Sequence, residues 1–174
     1  NDGNRIAIGA PQLQNSPERG YARIYEWDGS AWSPLGSDIR GTDYDHVGCS
    51  IALSGNGTTV AIGADGNDDA DVNAGQVTVS RWDGSDWTLL GSGINGVGKN
   101  DASGDSISLS DNGTVVAIGA AENDESFPAA GHVRVFAYAS GAWAQRGAAI
   151  TGDAKGDRLG ASATLSSDGN RLVV

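Results

Sequence analysis

Short apolar stretches alternate with polar, glycine-rich ones along the whole chain, and the same stretches return. RIAIGA (5–10) is matched by TVAIGA (59–64), VVAIGA (115–120) and RLVV (171–174). GYARIYEW (20–27) is matched by GQVTVSRW (75–82) and GHVRVFAY (131–138), and GCSIALS (48–54) by GDSISLS (104–110) and GASATLS (160–166). The period is 54 to 56 residues. Each period predicts four strands. The first ends in ALS, SLS or TLS, and the second is the AIGA stretch. The third alternates, with Ala22, Ile24, Val77, Val79, Val133 and Val135 on one face and Arg23, Thr78 and Arg134 on the other. The fourth begins at Trp32, Trp87 or Trp143 and runs to Gly36, Gly91 or Gly147. No stretch has helical periodicity of useful length.

The polar joints between strands specify connectivity. SGNG (54–57), SDNG (110–113) and SSDG (166–169) join the first strand to the second, and Asn-Gly or Asp-Gly supplies the positive φ of a tight hairpin. WDGSAW (27–32), WDGSDW (82–87) and YASGAW (138–143) join the third to the fourth. These read as hairpins flanked by aromatics, with Trp27, Trp32, Trp82, Trp87 and Trp143 packing across the turn or over the next sheet. Stacking of these indoles on a sugar is the sharper alternative.

Four antiparallel strands per repeat is the size of a β-propeller blade. The fold class expected is therefore all-β, a β-propeller, and the repeat array occupies the whole of 1–174. Three first, four second, three third and three fourth strands are present, so one kind is in excess. That surplus predicts part of a larger array, with complete blades over 45–91 and 101–147 and partial ones over 1–36 and 157–174. Further blades of the same polypeptide, or self-association, would complete the ring.

Within that repeat, HVGCSIALSGNGTTVAIGA (46–64) resembles the FG-GAP repeats of integrin-α-type propellers. Val47-Gly48 takes the place of the motif's Phe-Gly, as does Leu159-Gly160, and Gly63-Ala64 takes the place of its Gly-Ala. Gly9-Ala10-Pro11 keeps the full Gly-Ala-Pro ending. The resemblance implies an extracellular propeller used in adhesion or ligand contact. Many such repeats carry a calcium loop between those two strands. Here that loop is too short to offer the 6–8 oxygens Ca²⁺ takes, so that site is not expected.

Composition narrows the function. The net charge is −11, and Lys99 and Lys155 are the only lysines. Such a surface does not neutralise phosphates, which argues against nucleic acid and anionic membranes. No apolar run reaches the ~20 residues of a membrane span. Cys49, the single cysteine, lies in a predicted strand and reads as a buried thiol.

The hairpins fall on one face of the disk. Longer connections, APQLQNSPERG (10–20), ADGNDDADVNAG (64–75) and AAENDESFPAAG (120–131), fall on the other and differ in sequence. Variable loops on a constant scaffold make that face the place for a protein or glycan partner. In the second loop, Asp69, Asp71 and Asn73 alternate as in Ca²⁺ loops, which makes Ca²⁺ the cofactor to test. Asp45, Asp101 and Asp157 recur three residues before Gly48, Gly104 and Gly160 and are read as caps on backbone N–H groups of the following strand. Ser50, Ser106 and Ser162 recur too and are read as bonds between blades. Asn56 and Asn112 begin N-G-T triplets, which makes them glycosylation candidates that also suit the turn.

His46 and His132 occupy unrelated repeat positions, and no catalytic constellation stands out. The expectation is a non-enzymatic, extracellular or cell-surface module with a structural or adhesive role. A lectin-like carbohydrate-binding propeller is one alternative. A propeller hydrolase or lyase with its site in blades outside this segment is the other.

Overall fold

The computed structural model describes residues 3–12 and 19–174. Its elements follow the repeat. β1 (Arg5–Ala10), β2 (Tyr21–Trp27), β3 (Trp32–Pro34) and β4 (Ile39–Arg40) form the first sheet. β5 (Ile51–Leu53), β6 (Thr59–Ala64), β7 (Gln76–Trp82), β8 (Trp87–Leu89) and β9 (Ile94–Asn95) form the second. β10 (Ser106–Leu109), β11 (Val115–Ala120), β12 (His132–Ala139), β13 (Ala142–Gln145) and β14 (Ile150–Thr151) form the third. β15 (Thr164–Leu165) and β16 (Leu172–Val173) pair as a fourth. All pairings within these sheets are antiparallel, and no helix occurs among the described residues. The chain is a set of β-propeller blades.

The outer strand runs further than the sequence predicts. It passes Gly36, Gly91 and Gly147 and pairs again as β4, β9 and β14. Between Pro34 and Ile39, four residues face only Ile24 and Arg23 of β2. Each glycine sits in that bulge with φ of 76°, 76° and 81°. A positive φ favours glycine, so the glycine that reads as a strand end is a mid-strand bulge.

The core lies between sheets. Ala22, Ile24, Val60 and Ile62 fill the space between the first and second; Val77, Val79, Val116, Ile118 and Phe136 fill that between the second and third. Strands β5, β10 and β15 pack side by side, with β1 against β5, and define the inner edge of the arc. Blade contact there leaves no room for side chains. A Cβ on Gly63 would collide with the carbonyl of Gly104 in the next blade. Around this contact, Ser50 Oγ donates to Gly104 O at 2.5 Å and Ser106 Oγ to Gly160 O at 2.7 Å. Small residues in the Gly-Ala and Val-Gly positions are therefore a packing requirement.

The hairpin aromatics face each other, with ring centroids 5.4, 5.5 and 5.2 Å apart in the three copies. Asp28 Oδ1 accepts from Ser30 N and Ala31 N, and Asp83 Oδ1 from Ser85 N and Asp86 N, which fixes the two DGS turns. Asn56 Oδ1 and Asn112 Oδ1 close the other hairpins by accepting from Thr58 N and Thr114 N.

Candidate functional site

Each blade enters its inner strand through a sharp turn. His46, Ala102 and Arg158 hold the same place in it, with φ of 57°, 53° and 53°, and glycines two residues later have φ of 94°, 100° and 101°. The turn closes by bonds from Cys49 N to His46 O, Asp105 N to Ala102 O and Ala161 N to Arg158 O, each 3.1 Å. Two left-handed residues within three positions reverse the chain at the entry to the inner strand. The frame is constant, but the side chains are not.

That variation gathers ionisable groups from successive blades. His46 Nδ1 lies 3.0 Å from Asp65 Oδ1, at the end of β6. Arg158 pairs with Glu122 at 2.5 Å, across a blade boundary. Asp105 lies between these pairs. Partial desolvation lifts its pKa first, the charges of Asp65 and Glu122 lift it further, and Arg158 opposes them. Its carboxyl therefore holds a proton more readily than an ordinary aspartate while staying within reach of solvent. Cys49 is pushed up to about 12, by burial and then by the Asp65 charge, and its thiol points to Gly104 O. It is an inert thiol. The arrangement contains a carboxylate-oriented imidazole, a carboxyl with raised pKa and a guanidinium, which are the parts of acid–base chemistry on an acyl or glycosyl bond.

The recurrent crossover acids do a different job from the one expected. Asp45 Oδ2 accepts from Thr42 N at 2.7 Å, Asp101 Oδ2 from Gly98 N at 2.7 Å and Asp157 Oδ2 from Ala154 N at 2.8 Å. They cap N–H groups three residues before themselves, inside the crossover, rather than groups of the strand that follows.

Asp69, Asp71 and Asn73 are not brought together. Asp69 Oδ2 accepts from Gln76 Nε2 at 2.8 Å, Asp71 Oδ1 from Val72 N at 2.7 Å, and Asn73 Nδ2 donates to Asn100 Oδ1 at 3.2 Å. Among the described residues no three His, Cys, Asp or Glu side chains are grouped to hold a metal. The loops 64–75 and 120–131 are also less dissimilar than their letters suggest. Asp69 N donates to Asn67 Oδ1 as Glu125 N does to Asn123 Oδ1; Gly75 N donates to Asn67 O as Gly131 N does to Asn123 O. The loop 10–20 falls largely outside the described residues.

The fold is that of a β-propeller. No protein-family model matches the chain, so the FG-GAP likeness rests on motif layout alone. No curated protein matches it either. Among solved structures it is similar to the periplasmic gluconolactonase PpgL of Pseudomonas aeruginosa, with a TM-score of 0.56 and 16% identity over 97% of this chain and 46% of that one. The chain thus spans about half the length of that structure. This neighbour corrects the expectation of a non-enzymatic structural or adhesive module: the propeller that this chain resembles is an enzyme. No helix among the described residues is long and apolar enough to cross a membrane.

Proposed function

We propose that the chain is part of an exported propeller hydrolase whose reacting groups lie at the inner mouth of the blades. The observation that carries this reading is the cluster His46, Asp65, Asp105, Glu122 and Arg158, drawn from consecutive repeats into slots that elsewhere hold Ala102, Ala121, Gly66, Cys49 and Ala161. The neighbour's activity supports a cyclic ester, an aldonolactone, as the substrate class, and its periplasmic setting supports export. Further blades would supply the rest of the mouth.

In the reaction, Asp65 accepts the Nδ1 proton of His46 in a hydrogen bond, which leaves Nε2 as the base. Nε2 takes a proton from water as the water oxygen bonds to the lactone carbonyl carbon. Arg158 faces the negative charge that develops on the carbonyl oxygen. The ring C–O bond then breaks, and the leaving alkoxide takes the proton of Asp105, so that water is added and a hydroxy acid is released.

The test is hydrolysis of glucono-1,5-lactone by the full chain, followed by proton release. His46→Gln and Asp105→Asn should each lower kcat by about 100-fold, the scale of one general acid–base group, while Trp32→Ala leaves it unchanged. Full activity in both cluster variants would sink the proposal.

A further inference from the structure

A pocket lies where the outer strand of the first sheet meets the second sheet. Its volume is about 290 Å³, and its walls include Arg40, Asp45, Asn67, Asp69, Gln76 and Thr78. None of these belongs to the cluster at the inner mouth. Two of the walls are carboxylates. Asp45 is 8% exposed, and its Oδ1 accepts from Asn67 Nδ2 at 3.3 Å. Asp69 accepts from Gln76 Nε2 through Oδ2. The one cation in the wall is already engaged. The Arg40 guanidinium is held by Asp38 at 2.6 Å and lies over the Tyr21 ring, 4.9 Å from its centroid.

The following repeat shows what this position holds when it is filled. Thr78 lies opposite Ile62 in the second sheet, and Arg134 lies opposite Ile118 at the same place in the third. Arg134 is 6% exposed. Its guanidinium crosses the blade boundary, and Nη2 donates to Asn95 O at 2.7 Å and to Ser103 Oγ at 3.4 Å. Burial pulls its pKa below the usual value, and the charges of Asp101 and Glu125 oppose that pull. The groups around it recur at the pocket, with one exception. Asp45 stands for Asp101 and Asp69 for Glu125. Arg40, opposite Tyr21, stands where Asn95 stands opposite Gln76. The exception is Val47, which replaces Ser103, the more distant partner. Both repeats therefore keep the two carboxylates, and only one keeps a guanidinium between them. The shorter Thr78 leaves that place as open space.

We propose that this pocket binds an alkylguanidinium ligand, whose planar head takes the place of the Arg134 guanidinium, faces Asp45 and Asp69 and donates to the backbone carbonyl of Arg40. Ile39 and Val47 give its stem an apolar wall. Five N–H donors in one plane meet acceptors on several sides at once, whereas an ammonium is a compact point charge. A net charge of −11 draws cations of every kind, so preference for guanidinium over ammonium is the property that marks a built site. The same head is carried by free agmatine and by the arginine side chain of a peptide. The site does not depend on the proposed hydrolysis, and its ligand need not be a substrate.

The test is titration of the ¹⁵N-labelled full chain with agmatine, with the peptide acetyl-Gly-Arg-Gly-amide and with cadaverine, a diamine that lacks the guanidinium. Agmatine or the peptide should shift the amides of Asp69, Gln76 and Thr78 saturably, and cadaverine should bind more weakly. Binding of agmatine alone marks a free guanidino compound as the ligand, and binding of the peptide marks a side chain offered by a partner. Thr78→Arg plants the side chain of the following repeat in the pocket and should abolish the shifts. Asp69→Asn, on an exposed loop, should weaken binding about 10-fold through loss of one charge-assisted hydrogen bond. Saturable binding that survives both changes overturns the proposal. So does equal binding of cadaverine, or the absence of saturable shifts with both guanidinium probes. Lactone hydrolysis is tested separately by the His46 and Asp105 variants.

Discussion

The indole N–H of Trp87 donates to the backbone carbonyl of Leu35, 2.8 Å away in the preceding blade. One repeat later Trp143 donates to Leu90 O at 2.7 Å. Both carbonyls belong to the first residue of the outer-strand bulge, so the bulge presents its oxygen to the neighbour. Trp87→Phe keeps most of the ring packing and removes one hydrogen bond from a partly buried site. The expected loss is about 1 kcal/mol of stability, read as a lower denaturant midpoint with an unchanged slope. Trp143→Phe should cost the same, and the two should add.

A methyl group at the inner contact is a harsher change. Gly63→Ala drives a Cβ into the Gly104 carbonyl, which is backbone and cannot swing aside. We expect a loss of about 3 kcal/mol, at the upper end of overpacking costs, measured by urea unfolding. Ser50→Ala beside it removes only a hydrogen bond and should cost about 1 kcal/mol.

Asp105 links stability to pH with a definite sign. Its pKa is raised on folding, so the native chain holds a proton that the unfolded chain releases. Stability from this group therefore falls as pH rises from the ordinary value of 3.8 through the folded value. Asp105→Asn removes that loss. The variant should melt above the parent at pH 7, and the gap should close below pH 3.8, where both forms of the parent are protonated. A catalytic defect joined to higher stability would separate a working group from a structural one.

Cys49 should ignore thiol reagents. With its pKa pushed up to about 12, thiolate is scarce at pH 8. Ellman's reagent should report no reaction in the native protein and one thiol once the chain is unfolded in urea.

Much of this fold was legible in the sequence because the repeat writes it three times. The AIGA strands and the WDGSxW turns announce strands, hairpins and their order. Legibility failed where meaning depends on what lies across a blade boundary. Arg134 alternates with apolar neighbours and reads as an outward residue, yet it is buried because the second sheet covers it. Gly36 reads as a strand end because glycine marks both ends and bulges. The inner-mouth cluster is not legible in the sequence because its members are scattered over 46–158 and three of them, Asp65, Asp105 and Glu122, are acids in an acidic chain. A usable signal was present: His46, Ala102 and Arg158 share one repeat slot and have nothing in common chemically. The loop 64–75 misled in the other direction, since Asp69, Asp71 and Asn73 follow a ligand-like pattern while Asp69 accepts from Gln76, Asp71 from Val72 N, and Asn73 donates to Asn100.

The left-handed turn shared by His46, Ala102 and Arg158 carries an imidazole, a methyl and a guanidinium on one backbone geometry, with φ values within a few degrees of each other. Whatever conformational cost that position carries, it is met by the backbone bonds that close the turn, whichever residue stands there. The architecture therefore behaves as a socket set. Changing a codon at one of these places alters the side chain presented at the end of the inner strand while the backbone geometry of the turn stays the same.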